Sequence, residues 1–148
     1  MKRDPAPATR ILLVDNNARG LTARKVILIE NGYDIVTALS GEEGWEIFQQ
    51  QQFDMVVTDL RMGAMDGLEL IRRIRGTESP VRIVMLSGYI ECLGLTPESS
   101  GADELINKSD KEVPQLLRAI RRLAAQPRRR KPGSQRGGPA GSKRATAG

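Results

Sequence analysis

Apolar, strand-like runs alternate with amphipathic stretches along this chain of 148 residues, five of each. A regular alternation of this kind is typical of a sheet built from repeated strand-helix units. The strands are predicted at residues 10–15, 35–38, 54–59, 81–87 and 104–107. The pattern therefore predicts an α/β fold with five strands.

The helices are predicted between these strands. The first covers about 17–31 and ends at Asn31-Gly32, a typical helix stop. The second runs from Gly41 to about residue 50, the third begins at Asp66, whose side chain can cap it, and the last covers about 113–124. Glycines and a proline between residues 87 and 101 predict a short or broken fourth helix.

Composition excludes several kinds of chemistry. The chain has no histidine and a single cysteine, Cys92, which rules out Ser-His-Asp catalysis, a phosphohistidine on this chain and a multi-cysteine metal site. No glycine-rich nucleotide motif follows the first strand, which argues against a cofactor enzyme of flavodoxin-like fold. The N-terminus lacks a signal-peptide core and no apolar run could span a bilayer, so we predict a cytoplasmic protein without membrane insertion.

The net charge of +5 is unevenly distributed, because residues 127–148 hold seven basic residues and no acid. We predict a disordered N-terminal extension (1–9), one folded domain (10–126) and a basic disordered tail (127–148). A tail of this composition is either a solvated tether or a weak nucleic-acid contact. The residues for such a contact are Arg128, Arg129, Arg130 and Lys131.

Polar residues end four of the five apolar runs. Asp15 and Asp59 provide two acids, Ser87 a hydroxyl and Lys108 an ammonium. The carboxyl ends of the strands in an open parallel sheet are where ligands bind. Together, the four residues predict a phosphoryl-binding site at that edge.

Four runs of sequence, ILLVDN, VVTDLRMGAMDGLELIRRIR, IVMLSG and GADELINKS, resemble the receiver domain of two-component response regulators. The resemblance extends from about residue 10 to residue 125. It implies a doubly wound, flavodoxin-like (βα)5 fold with a five-stranded parallel sheet in the order 2-1-3-4-5.

The resemblance also implies a chemistry. Asp59 would accept a phosphoryl group from a phosphohistidine on a sensor histidine kinase or phosphotransfer protein, and Lys108 and Ser87 would contact the phosphoryl oxygens. A Mg²⁺ ion would screen the charge. Its implied ligands are Asp15, Asn16, Asp59 and the backbone carbonyl of Arg61.

The implied function is that of a single-domain response regulator. Such a protein is a phosphoacceptor rather than an enzyme, although it assists its own phosphorylation and dephosphorylation. It would signal by binding a downstream protein, whose identity the sequence does not indicate, in a phosphorylation-dependent way.

Four positions depart from the family's pattern. Asn16 replaces a second acid and removes one negative charge from the metal site, and Gly63 replaces a proline. Ser109 replaces the proline that usually follows Lys108, and a cis bond without proline costs about 2.5–4 kcal/mol, so we predict a trans bond. Leu105 stands where an aromatic switch is common, a role that Tyr89 could share.

These departures leave a second interpretation open. The chain could be a pseudo-receiver, with the same fold acting as a constitutive protein-interaction module. Under that interpretation Asn16 and the altered loops reflect a loss of phosphorylation.

Overall fold

The computed structural model describes residues 8–88 and 90–126, with the side chains of residues 91 and 92 left out. Five strands form one parallel sheet in the order β2-β1-β3-β4-β5. They are β1 (Arg10–Val14), β2 (Asp34–Ala38), β3 (Met55–Asp59), β4 (Arg82–Ser87) and β5 (Glu104–Asn107). The predicted strands and their order are confirmed, and each strand begins and ends within one residue of the predicted positions.

The helices follow the strands in alternation. They are α1 (Ala18–Glu30), α2 (Gly41–Gln50), α3 (Gly67–Gly76), α4 (Ile90–Leu93), α5 (Pro97–Ser100) and α6 (Glu112–Ala125). The fourth helix is broken, as predicted, into α4 and α5. Gly94 adopts a left-handed φ of 63° between them, and Pro97 stands at the start of α5, where a proline costs no hydrogen bond.

Alternate strand residues bury opposite faces of the sheet. On one face they pack against α2 and α3, and on the other against α1 and α6. The first cluster includes Leu12, Val56, Ile83, Leu70 and Ile74, and the second includes Leu13, Val57, Val84, Leu28 and Ile120. Both faces are therefore covered by helices, which confirms the doubly wound flavodoxin-like fold.

Residues at the ends of α1 and α3 terminate and cap these helices as predicted. Asn31 follows α1, and Gly32 adopts a left-handed φ of 93°. The Asp66 carboxylate accepts a hydrogen bond of 2.9 Å from the Glu69 amide and so caps α3. Asn31 and Gly32 therefore end α1 before β2, and Asp66 begins α3 after the loop that follows β3.

Three sequence predictions fall partly or wholly outside the described residues. They are the N-terminal extension, the basic tail with its nucleic-acid contact and the role of Tyr89, and all three stay predictions. Within the described part of the chain, no helix combines the length and apolar character needed to cross a bilayer.

Candidate functional site

Four polar residues lie at one edge of the sheet, the carboxyl edge, where the strands end. Asp15 follows β1, Asp59 ends β3, Ser87 ends β4 and Lys108 follows β5. The register pairs Asp59 with Leu86, and the Lys108 amide donates to the Ser87 carbonyl at 3.0 Å. Neighbouring strands therefore bring these predicted site residues to the same edge.

Asp59 is buried, with 7% of the residue exposed. Its Oδ1 accepts a hydrogen bond of 2.9 Å from the Leu60 amide, and its Oδ2 lies 3.0 Å from Lys108 Nζ. Burial raises the pKa of Asp59, and the neighbouring charge of Asp15 adds to this, while Lys108 and the Leu60 amide act in the opposite direction without cancelling it. The result is a carboxylate that is more basic than an exposed one and lies beside a cation.

The loop between β3 and α3 is closely packed behind Asp59. A Cβ atom added to Gly67 would lie 2.3 Å from the Asp59 carbonyl oxygen. The Gly67 amide also donates to the Leu60 carbonyl at 2.7 Å. Gly63, further out in this loop, has a φ of 102°, which the ring of the family's usual proline excludes.

Asp15 is 2% exposed and is paired with a residue that the sequence analysis missed. Arg24 Nη1 donates to Asp15 Oδ2 at 2.7 Å, and Arg24 Nε donates to Glu112 Oε2 at 2.5 Å. Burial acts against the charged guanidinium, but the hydrogen bonds to Glu112 and Asp15 outweigh it and raise the pKa of Arg24. Asp15 therefore already has a cation beside it.

A signal for Arg24 was present in the sequence. Leu21 and Leu28 are the buried residues of α1, and Arg24 lies three residues after one and four before the other. That spacing places Arg24 on the buried face of the helix. A basic residue on a buried face requires an acidic partner, although the pattern does not say which one.

The predicted metal ligands differ in exposure. Asn16 and Arg61 are exposed beside the buried carboxylates of Asp15 and Asp59. Carboxylate, amide and carbonyl oxygens are donors of the type that Mg²⁺ prefers, usually together with water. The described residues contain no group of three or more His, Cys, Asp or Glu side chains suited to a metal ion. The donor set fits a Mg²⁺ ion that relies on two carboxylates, one of which Arg24 also contacts.

The segment after Lys108 differs from the family's pattern as expected. No peptide bond in residues 8–88 and 90–126 is cis, so the predicted trans bond between Lys108 and Ser109 is confirmed. Ser109 lies in the turn before α6, where its hydroxyl accepts from the Lys111 amide at 3.1 Å and its carbonyl from the Glu112 amide at 3.2 Å. Leu105 is half-buried and packs against the core.

A family model described as the response regulator receiver domain matches residues 11–121. Together with the flavodoxin-like fold, this match places the chain in a known class of signalling domain. The chain belongs to the family of response regulator receiver domains of two-component systems. The predicted resemblance is confirmed, and receiver domains interact with histidine kinases or phosphotransfer proteins.

Two curated relatives illustrate the family. The chain is 36% identical over 121 residues to the probable transcriptional regulator ycf27 of Porphyra purpurea, covering 78% of this chain and 48% of that protein. It is 32% identical over 104 residues to the transcriptional regulatory protein GlrR of Escherichia coli K12, covering 70% and 22%. The chain thus spans less than half the length of either relative.

Solved structures agree with this assignment. The response regulator protein TrrA of Thermotoga maritima, in complex with Mg²⁺-BeF, is 31% identical with a TM-score of 0.69, and the match covers 78% of this chain and 98% of that one. A CheY-like response regulator receiver domain protein of Methanospirillum hungatei is 26% identical with a TM-score of 0.70, covering 80% and 95%.

Proposed function

We propose that this chain is a phosphorylatable receiver in which Asp59 is the phosphoacceptor. The observation that carries the proposal is the buried Asp59 carboxylate, whose Oδ2 lies 3.0 Å from Lys108 Nζ. A histidine kinase or phosphotransfer protein would be the donor. An Asp59 oxygen attacks phosphorus, the phosphorus–nitrogen bond to the donor imidazole breaks, and that imidazole leaves with the bonding pair and takes up a proton.

Each residue at the carboxyl edge has a proposed role in this transfer. Lys108 moves its ammonium from Asp59 to the incoming phosphoryl oxygens, while the Ser87 hydroxyl donates a hydrogen bond to them. The Leu60 amide keeps the carboxylate oriented through its bond to Oδ1. The packing of Gly67 against the Asp59 carbonyl limits movement of the acid.

Mg²⁺ is the proposed cofactor, with Asp15, Asn16, Asp59 and the Arg61 carbonyl as its ligands. When bound, Mg²⁺ neutralises charge on the transferred phosphoryl group. The neighbour from Thermotoga maritima in complex with Mg²⁺-BeF supports this proposal. The proposed domain covers residues 10–126. Phosphorylation at its carboxyl edge would change a surface that a downstream protein recognises. Water would later hydrolyse the aspartyl phosphate and end the signal.

Intact-protein mass tests this proposal. The wild type, Asp59→Asn and Asp66→Asn are incubated with Mg²⁺ and a small phosphodonor, or with a kinase. Asp66→Asn is a matched control, because Asp66 lies in the same loop and asparagine also caps helices well. We expect one phosphoryl group on the wild type and on Asp66→Asn, none on Asp59→Asn, and none anywhere once EDTA removes the metal. Uptake by Asp59→Asn, or none by the wild type with either donor, would contradict the proposal.

The pseudo-receiver is a second candidate, and the contact between Arg24 and Asp15 favours it. A fixed cation at Asp15, combined with the neutral Asn16, could replace the metal and leave a constitutive protein-interaction module. Titration with Mg²⁺ separates the two candidates. Binding only above tens of millimolar, together with no phosphoryl uptake, would favour the pseudo-receiver.

A further inference from the structure

Arg24 connects two acids that are far apart in the sequence. Asp15 lies nine residues before it and Glu112 lies 88 residues after it. The three side chains are largely buried, with exposed fractions of 12% for Arg24, 3% for Asp15 and 11% for Glu112. The guanidinium fork suits two simultaneous contacts of this kind. A buried and doubly paired cation at the carboxyl edge is therefore part of the fold.

The surroundings of Arg24 make room for these contacts. Gly20 lies one turn earlier on α1, and a Cβ atom there would lie 3.3 Å from Arg24 Nη1 and 3.7 Å from Asp15 Oδ2. A larger residue at Gly20 would crowd the guanidinium. Glu112 is fixed in turn at the first residue of α6, where an acid also interacts well with the helix dipole.

We infer that Arg24 is an internal counter-cation of Asp15, which a divalent cation has to displace towards Glu112 in order to bind. This inference rests on the proposed role of Asp15 as a metal ligand. Two cations on one carboxylate repel each other, and Oδ2 of Asp15 already accepts from Arg24 at 2.7 Å. Arg24 thereby lowers the affinity for Mg²⁺, and Glu112 gives the displaced guanidinium a carboxylate that it already contacts.

The first test measures the affinity of the unphosphorylated full chain for Mg²⁺, by calorimetric titration with MgCl₂ at physiological salt. Arg24→Met removes the charge and keeps most of the apolar stem, and we expect about tenfold tighter binding. Lys25→Met is the matched control, because Lys25 is the exposed neighbour of Arg24 on α1. Its charge is screened by salt, so we expect the affinity for Mg²⁺ to change by about twofold at most. Equal effects of the two substitutions would overturn the inference.

The second test asks whether Glu112 acts through Arg24. In the wild-type background, Glu112→Gln leaves Asp15 as the remaining acid of this trio for Arg24, so we expect Mg²⁺ to bind several-fold more weakly. In the Arg24→Met background the same substitution should have no effect. The same loss in both backgrounds would overturn the inference, because Glu112 would then act only as a nearby negative charge.

Arg24→Gln keeps the test decisive if circular dichroism shows that Arg24→Met does not fold. Glutamine keeps hydrogen-bonding groups for the buried acids but removes the positive charge, so Mg²⁺ should bind more tightly than in the wild type, and an unchanged affinity would overturn the inference. Tighter binding in the variants without phosphoryl uptake by the wild type would support the role of Arg24 and contradict the proposed function. Phosphoryl uptake by the wild type, together with unchanged Mg²⁺ affinities in the variants, would support the proposed function and contradict the role of Arg24.

Discussion

The two ends of the sheet hold their charged side chains in different ways. At the amino edge, where β4 and β5 begin, Arg75 donates to the Gly101 carbonyl at 3.0 Å, the Val81 carbonyl at 2.6 Å and Asp103 Oδ2 at 2.9 Å. Asp103 also accepts from the Ile83 amide at 2.8 Å. Three of these four contacts involve backbone atoms, whose positions are fixed by the fold.

At the carboxyl edge, by contrast, one oxygen of each acid faces only the end of a long side chain, while the other accepts from a backbone amide. Asp15 pairs with Arg24, and Asp59 pairs with Lys108, whose side chain is 32% exposed. A long side chain can move at a small cost in energy, whereas a backbone carbonyl in a packed core cannot. We therefore expect charges at the amino edge to stabilise the fold, and charges at the carboxyl edge to be exchangeable for ligands.

Arg75→Met should have the largest effect, because it removes three hydrogen bonds and one side of a largely buried ion pair. We expect it to lower the free energy of unfolding by about 3–5 kcal/mol. Urea denaturation measures this, with Arg72→Met as the control on the same helix. Arg72 pairs with Glu69 on the exposed face of α3, where ion pairs contribute little. Similar losses for the two variants would break the distinction between fixed and exposed charges.

Gly67→Ala should have the next largest effect and should act at the carboxyl edge. Its new Cβ atom would lie 2.3 Å from the Asp59 carbonyl oxygen, so the loop has to shift, at a cost of about 1–3 kcal/mol. We also expect slower phosphoryl uptake per folded molecule. Gly76→Ala, at the other end of α3 with open space around it, should leave uptake unchanged and raise stability by about 0.4–1 kcal/mol. Normal uptake by Gly67→Ala would show that the backbone behind Asp59 is less constrained than its packing indicates.

Asp59→Asn should have the smallest effect on stability, and in the opposite direction. Because the folded state raises the pKa of Asp59 above its ordinary value of 3.8, folding favours the protonated acid and ionisation destabilises the protein. The variant should therefore be more stable than the wild type at pH 7. The loss of the Lys108 pair limits the gain.

The difference in stability between Asp59→Asn and the wild type depends on pH. The advantage of Asp59→Asn should grow as the pH rises from about 3.8 and be complete above the raised pKa, and it should disappear below about pH 3.8, where wild-type Asp59 is protonated in both folded and unfolded states. Urea denaturation at several pH values, with Asp66→Asn as the control, measures it. A less stable variant at pH 7 would mean that the pair with Lys108 outweighs the burial of Asp59.

The sequence by itself determined the elements of this protein, because strand runs, the Asp66 cap and the break at Gly94 depend on residues a few positions apart. It also predicted that Asp15, Asp59, Ser87 and Lys108 meet at one edge, since parallel strands end together. Only the tertiary structure decided which cations face the acids. The contact of Arg24 with Glu112 spans 88 residues, and the packing of Gly67 against the Asp59 carbonyl depends on the path of the loop. Contacts of this kind are set by how helices lie on the sheet, which no local periodicity encodes.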